Sequence, residues 1–149
     1  MSLHRLLREH NLRPDKALGQ NFLVDEAVLS RIAASARPSE HDIILEIGAG
    51  TGGLTKLLAQ DAGHVIAVEI DQELVPVLKA EVSDYENVTV FQGDILSLDP
   101  SNLVEDVRRA HDLPEAPYKA VGNLPYYITS AILRHLMEAR LRPELVVVT

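Results

Sequence analysis

The sequence contains no cysteine, which excludes disulfides, thiolate catalysis and cysteine-ligated zinc sites. It has no apolar run near the ~20 residues that cross a membrane, and no basic-then-apolar leader ahead of a small-residue cleavage site. We therefore expect a cytoplasmic protein with no membrane partner. No metal-ligand spacing relates the six histidines, which are His4, His10, His41, His64, His111 and His135. Surface or helix positions are predicted for them, and no metal cofactor is expected.

Positive charge is also scarce, since 14 Lys and Arg stand against 22 Asp and Glu, giving a net charge of -8 and a pI near 5.1. An autonomous nucleic-acid binder needs a basic surface to neutralise phosphates, so this balance disfavours one. The locally basic stretch ends at Gln20 and is predicted to form a short helix followed by an extended arm. At 149 residues, with a mean hydropathy of +0.03, the chain is long enough for one core and is expected to form a single domain.

Apolar runs alternate with helix-like periodicity along the rest of the chain. Five runs are predicted as strands: Ile43–Ile47, Val65–Val68, Val88–Phe91, Tyr118–Val121 and Leu145–Val148. Five segments are predicted as helices: Asp25–Ala36, a helix after the glycine loop to about Gln60, Glu73–Ser83, Asn102–Arg109, and one from an N-cap at Thr129 to Arg140. Strands and helices that alternate at these lengths indicate an α/β fold, with a mostly parallel, doubly wound sheet and helices on both faces.

Polar residues or glycines follow four of these strands, at Gly48, Glu69, Asp94 and Asn123. Ligands of such sheets bind beyond the carboxyl ends of the strands, so we expect these four residues to share one site. The sequence finishes on an apolar run, and a parallel sheet rarely leaves its last strand uncovered. The chain is therefore expected to be a fragment, truncated after its fifth strand.

A glycine pattern between the first strand and the next helix indicates a nucleoside cofactor. Gly48, Gly50 and Gly53 satisfy G-x-G-x-x-G, and Glu69 follows Gly48 by 21 residues. Glycines let the backbone approach the ligand, while an acidic side chain on the second strand accepts hydrogen bonds from ribose hydroxyls. This pattern alone fits nicotinamide-dependent hydride transfer as well as S-adenosylmethionine-dependent methyl transfer.

Two acidic residues favour S-adenosylmethionine. Glu46 precedes the glycine turn, where a carboxylate suits a cationic sulfonium and amino-acid ligand better than a pyrophosphate. Asp94 follows the third strand, where it is placed to accept a hydrogen bond from an adenine amino group. Each has a plainer interpretation, Glu46 as a solvated strand-end carboxylate and Asp94 as a helix N-cap or turn residue.

The segment Asn123-Leu124-Pro125-Tyr126 follows the fourth strand and indicates methyl transfer to a base amine. The lone pair of an exocyclic amine is delocalised into the ring, so acceptors on its two hydrogens favour a tetrahedral, nucleophilic nitrogen. The Asn123 side-chain oxygen and the Leu124 carbonyl, fixed by Pro125, are suitable acceptors. Tyr126 is suited to stack on an unpaired base. The alternative is an ordinary turn whose tyrosine covers a core edge.

Together these motifs resemble the ribosomal RNA adenine dimethyltransferases. The resemblance runs from about Lys16 to the last residue and rests on five segments: 19–23, 46–52, 68–71, 93–94 and 123–128. It implies a Rossmann-like class I S-adenosylmethionine-dependent methyltransferase that dimethylates the N6 amines of two adjacent adenosines near the 3′ end of small-subunit (16S) rRNA. The implied partner is small-subunit rRNA in a pre-ribosomal particle, and the full-length protein is expected to be monomeric.

The resemblance also implies a role for each cofactor-binding residue. Asn21 and Leu23 would close over the methionine end of the cofactor, and Gly48 would contact it through its backbone. Glu69 would bind the ribose and Asp94 the adenine.

The same resemblance places Asn123 against both the cofactor and the target amine, with Leu124, Pro125 and Tyr126 shaping the catalytic pocket. Residues 1–22 would form an N-terminal helix and arm, and residues 23–149 an incomplete catalytic domain. The family normally continues into two more strands and a small helical domain that helps to hold RNA. Two alternatives stay open: a 23S rRNA adenine-N6 methyltransferase of the resistance type, and a non-catalytic ribosome-assembly or transcription factor.

Overall fold

The structure, a computed structural model, describes Arg5, Arg8, Glu9, Asn11 and residues 25–149. Five parallel strands form one sheet: β1 Ile43–Ile47, β2 His64–Glu69, β3 Val88–Gln92, β4 Tyr118–Gly122 and β5 Leu145–Val148. Their order across the sheet is β3-β2-β1-β4-β5. The predicted strands are confirmed, each to within one residue at either end, because continuous apolar runs are typical of strands that are buried on both faces.

Helices connect successive strands: α1 Glu26–Ser35 precedes the sheet, and α2 Gly53–Asp61, α3 Leu74–Glu81, α4 Pro100–Ala110 and α5 Tyr126–Glu138 follow β1 to β4. A short 3-10 helix, Ile95–Ser97, lies between β3 and α4. Asp25 caps α1 by accepting a hydrogen bond from the Ala27 amide at 2.9 Å, as its position before an apolar periodic segment leads one to expect. Within the described residues, no helix is both long and apolar enough to span a membrane.

Two helix starts differ from the prediction. The predicted N-cap at Thr129 is wrong, since α5 begins at Tyr126 with Pro125 as its N-cap residue. Thr129 lies inside the helix, where its hydroxyl donates to the Pro125 carbonyl at 3.3 Å, a common bond of helical threonines. Helix α4 begins at Pro100 rather than at Asn102, because Asp99 accepts hydrogen bonds from the first amides and proline is pre-organised for the first helical position.

The two faces of the sheet are covered by different helices. On one face, alternate residues of β1, Ile43, Leu45 and Ile47, pack in a core with α4 and α5. On the other face, Ile44 packs with α1 and α2, and a smaller apolar cluster joins β2 to α3. Because side chains alternate between the two faces of a strand, this arrangement buries β1 completely. The doubly wound α/β architecture is confirmed.

The N-terminal region is described in part only. Arg5, Arg8 and Glu9 are helical, and Arg5 Nε lies 2.9 Å from a carboxylate oxygen of Glu9. The predicted cofactor contacts Asn21 and Leu23 lie outside the described residues, so their roles stay predictions.

Candidate functional site

The sheet register brings the four strand-end motifs to one edge. Ile47 at the end of β1 pairs with Val68 of β2 and with Gly122 of β4. The last residues of β2 and β3 pair with each other, and Gly122 pairs with Val148 of β5. The residues that immediately follow these pairs therefore form a continuous row beyond the carboxyl ends of the strands. This is the edge at which open α/β sheets bind ligands.

The loop after β1 is held against β2 by backbone hydrogen bonds. The amides of Gly48 and Ala49 both donate to the Val68 carbonyl, at 2.9 and 3.1 Å. Gly48 has φ +74°, a left-handed conformation that favours glycine. A Cβ added there would lie 3.5 Å from Leu124 Cδ2 and 3.9 Å from the Asn123 carbonyl oxygen. The glycine loop and the motif after β4 are therefore in close proximity, as the predicted shared site requires.

Glu69 is the acidic residue that ends β2, and it is 4% exposed. Its Oε2 accepts a hydrogen bond from the Gly50 amide at 2.6 Å, and its Oε1 accepts one from the Asp71 amide at 2.9 Å. Burial raises the pKa of Glu69, and the hydrogen bonds from Asp71 and Gly50 offset part of that rise. A carboxylate can accept about four hydrogen bonds, so these contacts do not use the full acceptor capacity of Glu69. Its predicted role in ribose binding stays a prediction.

Glu46 does not lie in solvent at the strand end, and that alternative interpretation is wrong. The side chain is 1% exposed, and its Oε2 accepts a hydrogen bond of 2.5 Å from the hydroxyl of Thr55 in α2. Burial raises the pKa of Glu46 to about 8, against the smaller opposite effect of the Thr55 bond. Near neutral pH the group is therefore mostly an uncharged carboxyl, which weakens the expectation of a fixed negative charge beside a cationic ligand.

Asp94 follows β3 and caps the short 3-10 helix. Its Oδ1 accepts a hydrogen bond from the Leu96 amide at 3.0 Å, which agrees with the plainer interpretation of this residue. The capping bond uses one of its two oxygens, and the side chain is only partly buried. A contact between Asp94 and adenine is compatible with this geometry and stays a prediction.

Asn123 is partly buried and is bracketed by the residue that follows β5. The hydroxyl of Thr149 donates to Asn123 Oδ1 at 3.0 Å. The Thr149 amide donates to the Gly122 carbonyl at 3.1 Å, and the Leu124 amide donates to the Thr149 carbonyl at 2.9 Å. Three hydrogen bonds thus fix the orientation of the motif after β4, and one lone pair of Asn123 Oδ1 is left for a further donor.

The other residues of this motif divide into a buried half and an exposed half. Leu124 is 9% exposed and belongs to the core on the α4 and α5 side of the sheet. Pro125 precedes α5, whereas Tyr126 is 91% exposed and Tyr127 is 64% exposed. An aromatic side chain at the start of a helix and open to solvent is suited to stack on a base. The alternative in which Tyr126 covers a core edge is therefore wrong.

Three residues at this edge were assigned no individual role from the sequence. Thr55 and Thr149 hold predicted site residues by side-chain hydrogen bonds, and Ile70 is an apolar residue, 43% exposed, next to Glu69. The positions of the two threonines could not be read from local patterns, because each pairs with a residue on another element. Ile70 had a signal, since it continues the apolar run of β2 past the acidic residue.

The histidine prediction fails at one position. His64 opens β2 and is 3% exposed, with its Nε2 2.8 Å from the hydroxyl of Thr89. The Nε2 of His111 lies 3.2 Å from the same hydroxyl, and the two imidazole rings are 4.5 Å apart between centroids. This cluster is at the amino-terminal edge of the sheet, opposite the candidate site. Among the residues that the structure describes, no group of three or more potential ligands could hold a metal ion.

Comparison with known proteins points to one family. A family model for ribosomal RNA adenine dimethylase matches residues 11–149. The chain is 41% identical over 143 residues to the ribosomal RNA small subunit methyltransferase A of Dehalococcoides mccartyi (strain CBDB1), a match that covers 96% of this chain and 46% of that protein. The chain therefore spans about half the length of the curated relatives that it matches.

Solved structures show the same architecture. The 23S rRNA methyltransferase ErmE is 34% identical, with a TM-score of 0.70, and the match covers 86% of this chain and 48% of that one. A dimethyladenosine transferase from Plasmodium falciparum is 28% identical, with a TM-score of 0.66, over 83% of this chain and 41% of that one. The predicted Rossmann-like methyltransferase fold is thereby confirmed.

Proposed function

The chain belongs to the ribosomal RNA adenine dimethylase family, and on this premise we propose that it is the cofactor-binding catalytic part of an enzyme that methylates adenine N6 in small-subunit rRNA. The row formed by Gly48, Glu69, Asp94 and Asn123 at one edge of the sheet carries this proposal, since the strand register brings together residues up to 75 positions apart. The family resemblance points to two adjacent adenosines near the 3′ end of 16S rRNA.

S-adenosylmethionine is the proposed cofactor, and it supplies an electrophilic methyl group on a sulfonium. The glycine loop fits it, because Gly48 has no side chain and its backbone faces the Asn123 and Leu124 segment. Glu69 and Asp94 would hold the ribose and the adenine, and Asn21 and Leu23 would cover the methionine end. Glu69 already fixes the loop through the Gly50 amide, so one carboxylate would shape the pocket and contact the ligand.

The motif after β4 would act on the target amine. Asn123 Oδ1 and the Leu124 carbonyl are the proposed acceptors for the two N6 hydrogens, which would turn the nitrogen lone pair toward the methyl group. Thr149 holds Asn123 in place, and the solvent-exposed ring of Tyr126 would stack on the flipped adenine. These groups position and polarise the substrate, and no metal is required.

The RNA contacts would come mostly from elsewhere. We assign residues 1–22 to an N-terminal helix and arm, and residues 23–149 to the catalytic domain. The net charge of -8 favours an RNA-binding surface outside this domain. By the family resemblance, further strands and a small helical C-terminal domain would provide that surface. The partner would be rRNA in a pre-ribosomal particle in the cytoplasm, bound by a monomer.

A methyl-transfer assay tests the function directly. Full-length protein is incubated with radiolabelled S-adenosylmethionine and with unmethylated small subunits or, in parallel, unmethylated large subunits. We expect label in small-subunit rRNA on adenine N6 and a severe loss with Asn123→Ala. Label confined to large subunits would move the assignment to the 23S type, and undiminished transfer by Asn123→Ala would overturn the catalytic role. Calorimetry should give heat with S-adenosylmethionine and none with NAD.

A further inference from the structure

Glu46 and Thr55 form a buried polar pair directly beneath the glycine loop. Glu46 is the penultimate residue of β1, and Thr55 lies in the first turn of α2, so the loop from Gly48 to Gly52 joins the elements that carry them. Both side chains are buried, at 1% and 0% exposure, and the Thr55 hydroxyl donates to Glu46 Oε2 at 2.5 Å. One side-chain bond therefore closes the base of the loop.

The upper side of the loop is held by a separate set of bonds. The Gly50 amide donates to Glu69, and the amides of Gly48 and Ala49 donate to the Val68 carbonyl. These contacts fix the loop to β2, but none of them fixes the angle between β1 and α2. Among the described residues, Thr55 is the one hydrogen-bond partner of Glu46, and this pair is the polar contact that spans that angle.

A buried carboxyl group at this position has a cost in stability. Replacing a buried polar pair by apolar side chains of similar volume is often neutral or stabilising, so burial of this pair is not explained by stability alone. The neighbouring acidic group of Glu69 also opposes ionisation of Glu46, which adds to the effect of burial on the Glu46 pKa. Buried ionisable groups with strongly perturbed pKa values concentrate at functional sites.

We propose that Glu46 and Thr55 are a positioning pair, whose hydrogen bond holds the glycine loop in the conformation that accepts the cofactor. This inference rests on the proposed binding of S-adenosylmethionine by the loop. It assigns Glu46 a role as a hydrogen-bond acceptor, in contrast to a role as a fixed negative charge opposite the sulfonium. Neither residue is assigned a contact with the ligand.

Four variants of the full-length protein separate these roles. Thr55→Val removes the hydroxyl and keeps the shape, Thr55→Ser keeps the hydroxyl, and Glu46→Gln keeps an acceptor oxygen without a charge. The fourth, Glu46→Leu with Thr55→Val, replaces both members by apolar groups. It provides a folded protein without the hydrogen bond if Thr55→Val, which leaves the buried Glu46 carboxyl unpaired, does not fold. Calorimetry measures the affinity for S-adenosylmethionine and S-adenosylhomocysteine, thermal unfolding measures stability, and hydrogen exchange reports on the amides of residues 48–52.

We expect Thr55→Val and the double variant to bind both ligands about tenfold more weakly, which corresponds to roughly 1.4 kcal/mol. Thr55→Ser and Glu46→Gln should bind within about twofold of the unmodified chain, a difference under 0.5 kcal/mol. The double variant should melt at or above the temperature of the unmodified chain, while its loop amides exchange faster. A weaker affinity at unchanged stability is a result that a purely structural pair does not give.

The opposite pattern overturns the inference. If Glu46→Gln loses affinity for S-adenosylmethionine alone while Thr55→Val binds normally, Glu46 acts as a charge. If all four variants bind like the unmodified chain, the pair has no positioning role. Failure of the unmodified full-length protein to bind S-adenosylmethionine is a separate result, and it contradicts the proposed function itself.

Discussion

The amide of Gly50 donates a hydrogen bond to Glu69 Oε2 at 2.6 Å, which ties the glycine loop to the end of β2. If Glu69 also binds the ribose, Glu69→Ala removes both the ligand contact and the support of the loop. Hydrogen bonds to charged groups contribute about 1.5–3 kcal/mol each, so the affinity for S-adenosylmethionine should fall by about 10- to 100-fold. Calorimetry on the full chain measures this loss.

A matched control for Glu69 lies nearby. Glu73 is exposed and precedes α3, so Glu73→Ala changes the charge of the same region without touching the loop. The affinity of Glu73→Ala for S-adenosylmethionine should equal that of the unmodified protein. Equal losses in the two variants would assign the effect to general electrostatics and would remove Glu69 from the site.

Asn123 should matter more for methyl transfer than for cofactor binding. Its side-chain oxygen is held by Thr149 and is proposed to accept a hydrogen from the target amine. Loss of one pre-organised group of this kind costs about 10²- to 10³-fold in rate. Single-turnover methyl transfer by Asn123→Ala should therefore fall by about that factor, with a smaller change in the dissociation constant for S-adenosylmethionine.

Thr149 offers a graded test of the same motif. Thr149→Val removes the hydroxyl that orients Asn123, and it should lower the rate by up to about tenfold, the value of one ordinary hydrogen bond. Thr149→Ser retains the hydroxyl and should react at nearly the normal rate. A rate for Thr149→Val equal to that of Thr149→Ser would show that Asn123 is oriented by its backbone alone.

Sequence patterns predicted the strands and the row of strand ends, because both depend on local features. A continuous apolar run such as Ile43–Ile47 predicts a strand that is buried on both faces, and parallel strands place their carboxyl ends at one edge. The start of α5 was missed for a local reason, since the threonine at position 129 resembles an N-cap, whereas the helix begins directly after Pro125. Capping preferences identify possible starts and do not choose between them.

Pairings between distant elements were not predictable in the same way. The burial of Glu46 depends on Thr55, and the orientation of Asn123 depends on Thr149, 26 positions away. His64 shows the same limit, because its burial depends on the neighbouring strand β3, which places Thr89 against it. Such residues are placed by the tertiary packing, which a single sequence does not display.

The ion pair between Lys119 and Asp42 should be important for stability. Lys119 Nζ lies 2.8 Å from Asp42 Oδ2 and 2.7 Å from the Arg37 carbonyl, and both side chains are nearly buried. Removing one member of a buried pair costs about 3–5 kcal/mol, because the other is left uncompensated. Lys119→Met should therefore lower the free energy of unfolding by about that amount in urea denaturation.

An exposed pair provides the comparison for Lys119. Arg109 lies 3.7 Å from Glu105 and its side chain is 75% exposed, so Arg109→Met should lower the free energy of unfolding by no more than about 1 kcal/mol.

The Lys119–Asp42 pair should also depend on pH. Burial alone would raise the pKa of Asp42, but the hydrogen bonds from Lys119 and Ser39 outweigh it and hold this pKa below its usual value. The Asp42 contribution is thus present above pH 3.8 and is lost as the pH falls through the lower, folded-state pKa. Equal losses in the free energy of unfolding for Lys119→Met and Arg109→Met would contradict the burial of the Lys119–Asp42 pair.

His64 should make the fold less stable in mild acid. Burial, together with the neighbouring His111, lowers the pKa of His64 from 6.5 to about 4. The unfolded chain then binds more protons between these values, so the free energy of unfolding falls as the pH drops from 6.5 to 4, by about 3 kcal/mol in total. Above pH 6.5 His64 is neutral in both states and contributes no slope. Urea denaturation at a series of pH values measures the effect.

His64→Gln removes the titration and keeps a polar group that can reach the Thr89 hydroxyl, so the fall in stability between pH 6.5 and 4 should be smaller by the His64 share. The matched control is His41→Gln, because His41 is exposed on the loop before β1. The free energy of unfolding of this control should change with pH as it does for the unmodified protein.

Glu46 changes the free energy of unfolding with pH in the opposite direction, since its pKa is raised to about 8 and its contribution is lost as the pH rises from 4.5. Glu46→Gln should therefore steepen the acid side while His64→Gln flattens it, and parallel curves for these two variants would show that neither group is buried in the way the structure describes.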